Sequence, residues 1–385
     1  MSRRCPPLTC GGGDGPVRGS FPLGRPRPGV QYQWVSAVCD AQPILAHPVL
    51  SYGKGMSQSG MIVVIAALAA GVGCSSYYAS GSPRATLPLP TEIQQYYQYA
   101  PGELTVVVRA TEQQPTYSVR EVTLSAAGTR EPIRMRWFAP NAPEKHPLIL
   151  VSPIRGSDTI VVDGCARAFA SSGYHAAIVE RAHFDFDPAG PLSQVEDSLR
   201  AVVIQHREAL DWLVAQPGVD PDRVGAFGVS YGAIVTAVLA AVDPRVKICV
   251  IDLAGGPIAG VMKSSEEHSL RRNWDRSRNS HALTDDQLYK TLRAVIRTDP
   301  VKLAPYVARD HVLMLIARFD SSVPTRYQLK LWRALGKPRA DFVPLGHYTS
   351  ILVLPAHRLS VIRFFEENFT QPKLGSAQPA AQAKN

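Results

Sequence analysis

Between residues 103 and 369, short apolar runs alternate with stretches whose apolar residues recur every three or four positions. Leu104–Arg109 and Ser118–Ser125 are rich in Val and Thr and predict strands. Ile133–Phe138 alternates Ile, Met and Trp with Arg, the pattern of a half-exposed edge strand. Leu148–Ser152 and Ala176–Glu180 are continuous apolar runs, as expected of parallel strands buried on both faces. Val162–Ser172 predicts a helix ended by Gly173. Leu192–Ala215 carries helical spacing in Leu199, Val202, Val203, Ala209, Leu210 and Leu213, and stops before Pro217-Gly218. Val224–Val229 reads as a strand and Tyr231–Val242 as a helix. Ile248–Leu253, Val312–Ala317 and Asp341–Leu345 supply three more strands, and Pro355–Phe369 a closing amphipathic helix. Strands alternating with helices predict an α/β fold, a mostly parallel, doubly wound sheet covered by helices. Residues 258–308 break the alternation with a charged helical stretch, read as a small helical cap insertion.

The N-terminal quarter has a different texture. Residues 1–55 hold 8 Pro and 9 Gly, against 24 Pro and 20 Gly in all of 56–385. That density, without an apolar period, predicts a disordered extension or sequence upstream of the true start; an Arg-bearing targeting peptide is the other reading. From Met61 an apolar run of about thirteen residues leads to Cys74, too short for a hydrocarbon core of about 30 Å. It has the length of a signal-peptide apolar region, with Lys54 ahead of it as the positive flank. Residues 56–73 are therefore read as a signal peptide, 74–102 as a Ser-, Tyr-, Pro- and Gln-rich tether, 103–369 as the folded domain, and 370–385 as a disordered tail.

Composition narrows the function classes. With 45% apolar and 19% charged residues, the 385-residue chain has ample material for a core. The net charge is +9, but residues 1–73 contribute six basic and two acidic residues to it. No Lys/Arg block with interleaved aromatics is present, so nucleic acid is not an expected partner. The 6 cysteines are too few and too irregularly spaced for a disulfide framework or a zinc site. Cys165 and Cys249 read as buried free thiols rather than a bridge.

The chemistry is expected at strand ends. Gly228-Val229-Ser230-Tyr231-Gly232 fits G-x-S-x-G after an apolar strand and before a helix. That turn strains the serine backbone, exposes its hydroxyl and aims the next N–H at a substrate oxygen. A serine needs a base to take its proton, and the base needs a carboxylate to fix its tautomer. The order for this architecture is Ser, acid, His. Asp320 follows the strand Val312–Ala317, and His347 follows the strand ending at Leu345. Asp252, at the end of the strand before the cap, is the alternative acid. His183 could line the pocket or be an ordinary loop histidine. His206, His268, His281, His311 and His357 lack metal-ligand spacing. The basic run Lys263–Arg278 reads as a solvated cap face, or as an attractor of acidic substrates or anionic lipid headgroups.

With these residues in place, 118–369 resembles the α/β-hydrolase superfamily. The strand-loop Asp followed by Val323-Pro324, and then Gly346-His347, is similar to the dienelactone-hydrolase and esterase-like branches. The resemblance implies Ser230 as nucleophile, His347 as general base and Asp320 as its orienting acid. It also implies an oxyanion hole made by the N–H of Tyr231 and one from the loop Ser152-Pro153-Ile154-Arg155-Gly156. Pro153 has no N–H, which points to Ile154, with Arg155 as the alternative. Upstream, small residues running into a cysteine resemble a bacterial lipoprotein signal, in which Cys74 would become the lipidated first residue. Val72 and Gly73 fit its loose pattern, and Gly71 replaces the usual leucine. A plain signal peptide and a buried core helix are the other readings.

The expected protein is thus an envelope-anchored serine hydrolase that cleaves a small-molecule carboxylic ester through an acyl-enzyme. It would face the periplasm or exterior through a lipid anchor in the membrane, or be secreted, and would need no cofactor and no metal. A serine peptidase of prolyl-oligopeptidase type shares this domain, but the residues ahead of it are too few for a propeller. A catalytically silent binding lipoprotein is the remaining alternative.

Overall fold

The computed structural model describes residues 75–78, 85–100, 104–126, 131–154, 160–180 and 187–370. The expected extension and signal peptide, Cys74, His183, Arg155, Gly156 and the tail beyond residue 370 lie outside the described residues.

Ten strands form one sheet among the described residues. In chain order they are β1 (Ser75–Tyr77), β2 (Leu104–Gln113), β3 (Tyr117–Ala126), β4 (Ile133–Pro140) and β5 (His146–Ser152). They continue as β6 (His175–Val179), β7 (Val219–Val229), β8 (Val246–Asp252), β9 (Val312–Ala317) and β10 (Arg339–Val343). Their spatial order is β1-β10-β9-β8-β7-β5-β6-β4-β3-β2. The six strands from β10 to β6 are parallel; β4, β3 and β2 extend one side antiparallel, and β1 caps the other.

Helices cover both faces because consecutive residues of the buried strands point to opposite sides. Leu148 and Leu150 of β5 join a core with α3 (Gln194–Val214) and α4 (Tyr231–Val242). Ile149 and Val151 join a second core with α2 (Ile160–Ser171) and α10 (Leu354–Thr370). Phe365 of α10 is fully buried there, its ring edge-on to Phe169 at 5.8 Å. The helix α9 (Thr325–Ala334) joins β9 to β10. The last strand ends at Val343, two residues short of the Leu345 expected from sequence. Pro344 has no N–H to give the ladder, and the chain turns there.

Between β8 and β9 lie α5 (Ile258–Ser264), α6 (His268–Ser280), α7 (Asp285–Val295) and the short α8 (Pro300–Leu303). Glu267 caps α6 by accepting from the N–H groups of Ser269 and Leu270. Thr284 and Gln287 form a reciprocal capping box on α7, so each start is fixed locally. Trp274, Leu288 and Leu292 anchor these helices in the first core. The cations of this stretch are partly answered: Lys263 Nζ lies 2.6 Å from Asp286, and Arg278 3.3 Å from Asp285.

Within the expected tether 74–102, the described residues 75–78 and 85–100 pack against the folded domain. Ser75–Tyr77 pairs antiparallel with β10, and the Tyr77 ring meets Trp332 edge-on at 5.1 Å. The helix α1 (Thr91–Tyr96) leads to Tyr97, which is 1% exposed and hydrogen-bonded to Thr298 at 2.9 Å. Tyr96 and Tyr99 donate to Glu196 and Asp211 of α3 at 2.7 and 2.8 Å. Burial and the neighbouring Glu196 carboxylate push the Tyr96 hydroxyl well above its ordinary range. A Tyr- and Gln-rich composition reads as solvated, but tyrosine can bury its ring while its hydroxyl finds a partner. At the far side, β2 is an edge strand with Val106, Val107 and Val108 exposed.

Candidate active site

Ser230 sits between β7 and α4 with φ 56° and ψ −117°, a conformation that strains any residue with a Cβ. Two glycines make the turn possible. A Cβ on Gly228 would lie 2.4 Å from the Gly232 backbone, and one on Gly232 would lie 2.1 Å from the Ser152 carbonyl oxygen. The Ser230 N–H donates to the Asp252 carbonyl at 2.8 Å, tying the turn to β8.

Ser230, His347 and Asp320 meet across 117 and 27 residues of sequence. His347 Nε2 lies 3.0 Å from Ser230 Oγ, and His347 Nδ1 lies 2.7 Å from Asp320 Oδ2. An ionised carboxylate only accepts, so Nδ1 carries the hydrogen and Nε2 is free to take the serine proton. The Asp320 side chain is fully buried and that of His347 is 11% exposed. Buried charge needs donors. Asp320 Oδ1 accepts from Val323 N–H at 2.8 Å, and Oδ2 also accepts from Gln328 Nε2 at 2.8 Å. Gln328 is itself buried, donating to the Val323 carbonyl and accepting from Ala317 N–H. Nothing in the sequence singles it out; only the turn of α9 brings it beneath the acid.

The alternative acid is occupied elsewhere. Asp252 Oδ2 is 2.9 Å from Nε2 of His357, and His357 Nδ1 is 3.2 Å from Asp341 Oδ2. Asp341 in turn accepts from the Ser76 hydroxyl at 2.7 Å. Burial opposes a charge on His357, but the two carboxylates outweigh it and raise its pKa to about 10. His357, set aside in sequence for want of metal spacing, is an imidazolium clamped under the nucleophile turn.

The expected oxyanion donors lie on two segments next to the serine turn. Tyr231 begins α4, and the loop holding Ile154 follows β5. Gly232 brings these segments together, since a Cβ on it would also sit 2.8 Å from the Pro153 carbonyl oxygen. The loop bearing Asp320 is stapled to the helices after β8. Ser265 Oγ donates to the Ser322 carbonyl at 2.6 Å, and Glu266 N–H to that of Ser321 at 2.9 Å. Away from the site, burial pushes the Cys249 thiol up to about 12 and the fully buried His206 down to about 4. Neither Cys165 nor Cys249 is in a disulfide.

Comparison with known proteins agrees with this architecture. A profile of the prolyl oligopeptidase family matches residues 202–347, a span that includes Ser230, Asp320 and His347. No curated protein matches the sequence significantly. Among solved structures, acetyl xylan esterase 1 from Thermoanaerobacterium sp. JW/SL YS485 superposes with a TM-score of 0.58 at 15% identity, over 74% of this chain and 95% of the esterase. The acetyl xylan esterase from Paenibacillus sp. R4 gives 0.53 at 20% identity, over 73% and 100%. The Pyrococcus horikoshii acylaminoacyl peptidase gives 0.51 at 16% identity, over 68% of this chain but 43% of the peptidase. The chain has the α/β-hydrolase fold, and the family match supports a serine hydrolase.

Proposed function

We propose that this serine hydrolase cleaves a carboxylic ester through an acyl-enzyme on Ser230. The observation that carries the reading is the hydrogen-bonded line Ser230–His347–Asp320, with spacings of 3.0 and 2.7 Å, at a strained strand-to-helix turn. In it, His347 Nε2 takes the hydroxyl proton as Ser230 Oγ attacks the ester carbonyl carbon. The negative oxygen that forms accepts from the N–H groups of Tyr231 and Ile154. The tetrahedral species collapses, the C–O bond to the alcohol breaks, and the alcohol leaves with the proton from His347. Water then repeats the sequence on the acyl-enzyme and frees the acid. Asp320 holds the imidazole in its tautomer and stabilises the imidazolium. The two esterases are matched over 95% and 100% of their own length and the peptidase over 43% of its length, which favours an ester over a peptide bond.

The family match favours a second reading, a serine peptidase. The two separate in one experiment, a panel of p-nitrophenyl esters of increasing acyl length beside peptide amides. Ester turnover with amide turnover at background, and loss of the former in Ser230→Ala, supports the esterase. Amide cleavage of equal efficiency replaces it with the peptidase, and inertness toward both favours a binding role.

The same proposal takes residues 56–73 as a signal peptide and Cys74 as a lipidated residue, which sets the enzyme in a bacterial envelope, facing the periplasm or exterior. Support is the apolar run ending in small residues and cysteine. Incorporation of labelled fatty acid by the wild type and its loss in Cys74→Ser test it.

A further inference from the structure

We infer that the edge of the sheet bearing Asp320 and His347 lies against a lipid bilayer, with Phe319, Tyr348 and Leu352 entering its headgroup layer. This orientation rests on the proposed anchor at Cys74.

The first observation is where the anchor would attach. Ser75 pairs with Phe342 and Tyr77 with Ala340, so β1 runs opposite to β10. The beginning of β1 therefore lies at the end of β10 where the chain leaves for His347. The neighbouring β9 runs parallel to β10 and leaves for Asp320 at that same end. Cys74 is one peptide bond before Ser75. The strand that follows it is hydrogen-bonded into the sheet.

The second observation is independent of the anchor. Exposed single hydrophobic residues are ordinary, but three large ones gather in the two loops that leave this edge. Phe319 is 71% exposed and immediately precedes Asp320, Tyr348 is 62% exposed and follows His347, and Leu352 is 65% exposed in the next turn. The loops are held together: Phe319 N–H donates to the Leu345 carbonyl at 3.0 Å. The three residues thus stand on two joined loops and form an apolar rim. Tyrosine suits the boundary between water and hydrocarbon, having an apolar ring and a polar tip. Leucine and phenylalanine gain from leaving water, and interfacial binding grows with the apolar area so buried. The proposed anchor point and the apolar rim lie at the same ends of β1, β9 and β10, and a bilayer would meet both.

The test uses the full chain reconstituted in vesicles of phosphatidylethanolamine and phosphatidylglycerol with brominated acyl chains. A tryptophan is introduced by Leu352→Trp on the rim or by Val107→Trp on β2, the outermost strand at the far side of the sheet, and the parent's own tryptophan signal is subtracted. Quenching several-fold stronger at 352 than at 107, and weakened by adding Phe319→Glu, is the expected result. Equal or absent quenching at 352 overturns the surface. So does an emission shift at 352 that follows protein concentration and not lipid, which would make the rim a contact between two copies. Should Leu352→Trp fail to fold, slowed amide exchange on vesicle addition is read at residues 346–353 instead, and unchanged exchange there overturns the surface. Fatty-acid labelling is scored separately. A labelled chain whose rim is unquenched keeps the anchor and loses the surface, whereas a quenched rim on an unlabelled chain keeps the surface and loses the anchor.

Discussion

Gln328 donates to the same Asp320 oxygen that receives the His347 Nδ1–H, at 2.8 and 2.7 Å respectively. Two donors on one oxygen fix the carboxylate plane, and the carboxylate plane fixes the imidazole. Removing a hydrogen bond to a charged group costs about 1.5–3 kcal/mol. If that loss falls on the transition state, Gln328→Leu lowers kcat by roughly 10–100-fold. Steady-state kinetics should show the fall in kcat with KM little moved, because Gln328 is buried beneath the acid and away from substrate.

Asp320→Asn should lower kcat by about 10⁴-fold, since an amide that donates to Nδ1 leaves the proton on the wrong nitrogen. Asp252→Asn should act differently. It weakens the clamp on His357 and lowers the melting temperature, while kcat falls less than tenfold. A larger kcat loss in Asp252→Asn than in Asp320→Asn would show the two carboxylates in exchanged roles.

Ser230→Ala and His347→Ala should each remove nearly all activity, and the double variant little more, because the two act as a unit. A residual of roughly 10³–10⁴ over water remains from binding and the oxyanion donors. A phosphonate probe, which reacts with an activated serine, should label Ser230 in the parent and fail in His347→Ala. Peptide mapping of the adduct reads the site directly.

The His357 clamp gives stability a pH dependence of definite sign. Its pKa is raised in the folded chain to about 10, from an ordinary value of 6.5. Its contribution is therefore complete below the unfolded value and is lost as pH rises through about 10. Urea unfolding across that window should show stability declining toward the alkaline end. His357→Gln should flatten the decline and lower stability at neutral pH by roughly 3–5 kcal/mol, the cost of breaking a buried ion pair.

Much of this fold can be read from the chain because its elements are locally consistent. Val312–Ala317 and Tyr231–Val242 have the same bounds in pattern and in structure. Their apolar runs are ended by a charged or strained residue. Ser230, Asp320 and His347 are legible because each follows a buried strand, and strand ends are where such a sheet exposes side chains. Gln328 and His357 are not legible. Each lies on a helix with no local mark, and its meaning comes from a partner reached only by tertiary packing. Tyr96 and Tyr97 mislead for a related reason: their hydroxyls look solvated until Glu196 and Thr298 are beneath them.

The pairing of β1 with β10 has a consequence for synthesis. Ser76 and Asp341 are 265 residues apart in sequence, yet they are neighbours in the finished sheet. A ribosome adds about 5–20 residues per second, and domains fold as their chain emerges. The first strand therefore has no partner until nearly the entire domain has been made, and His347 emerges only a few residues after that partner. Closure of the sheet edge and arrival of the base are a single late event. A chain released early is left with an open edge and without its base, so an unfinished hydrolase is also an inactive one.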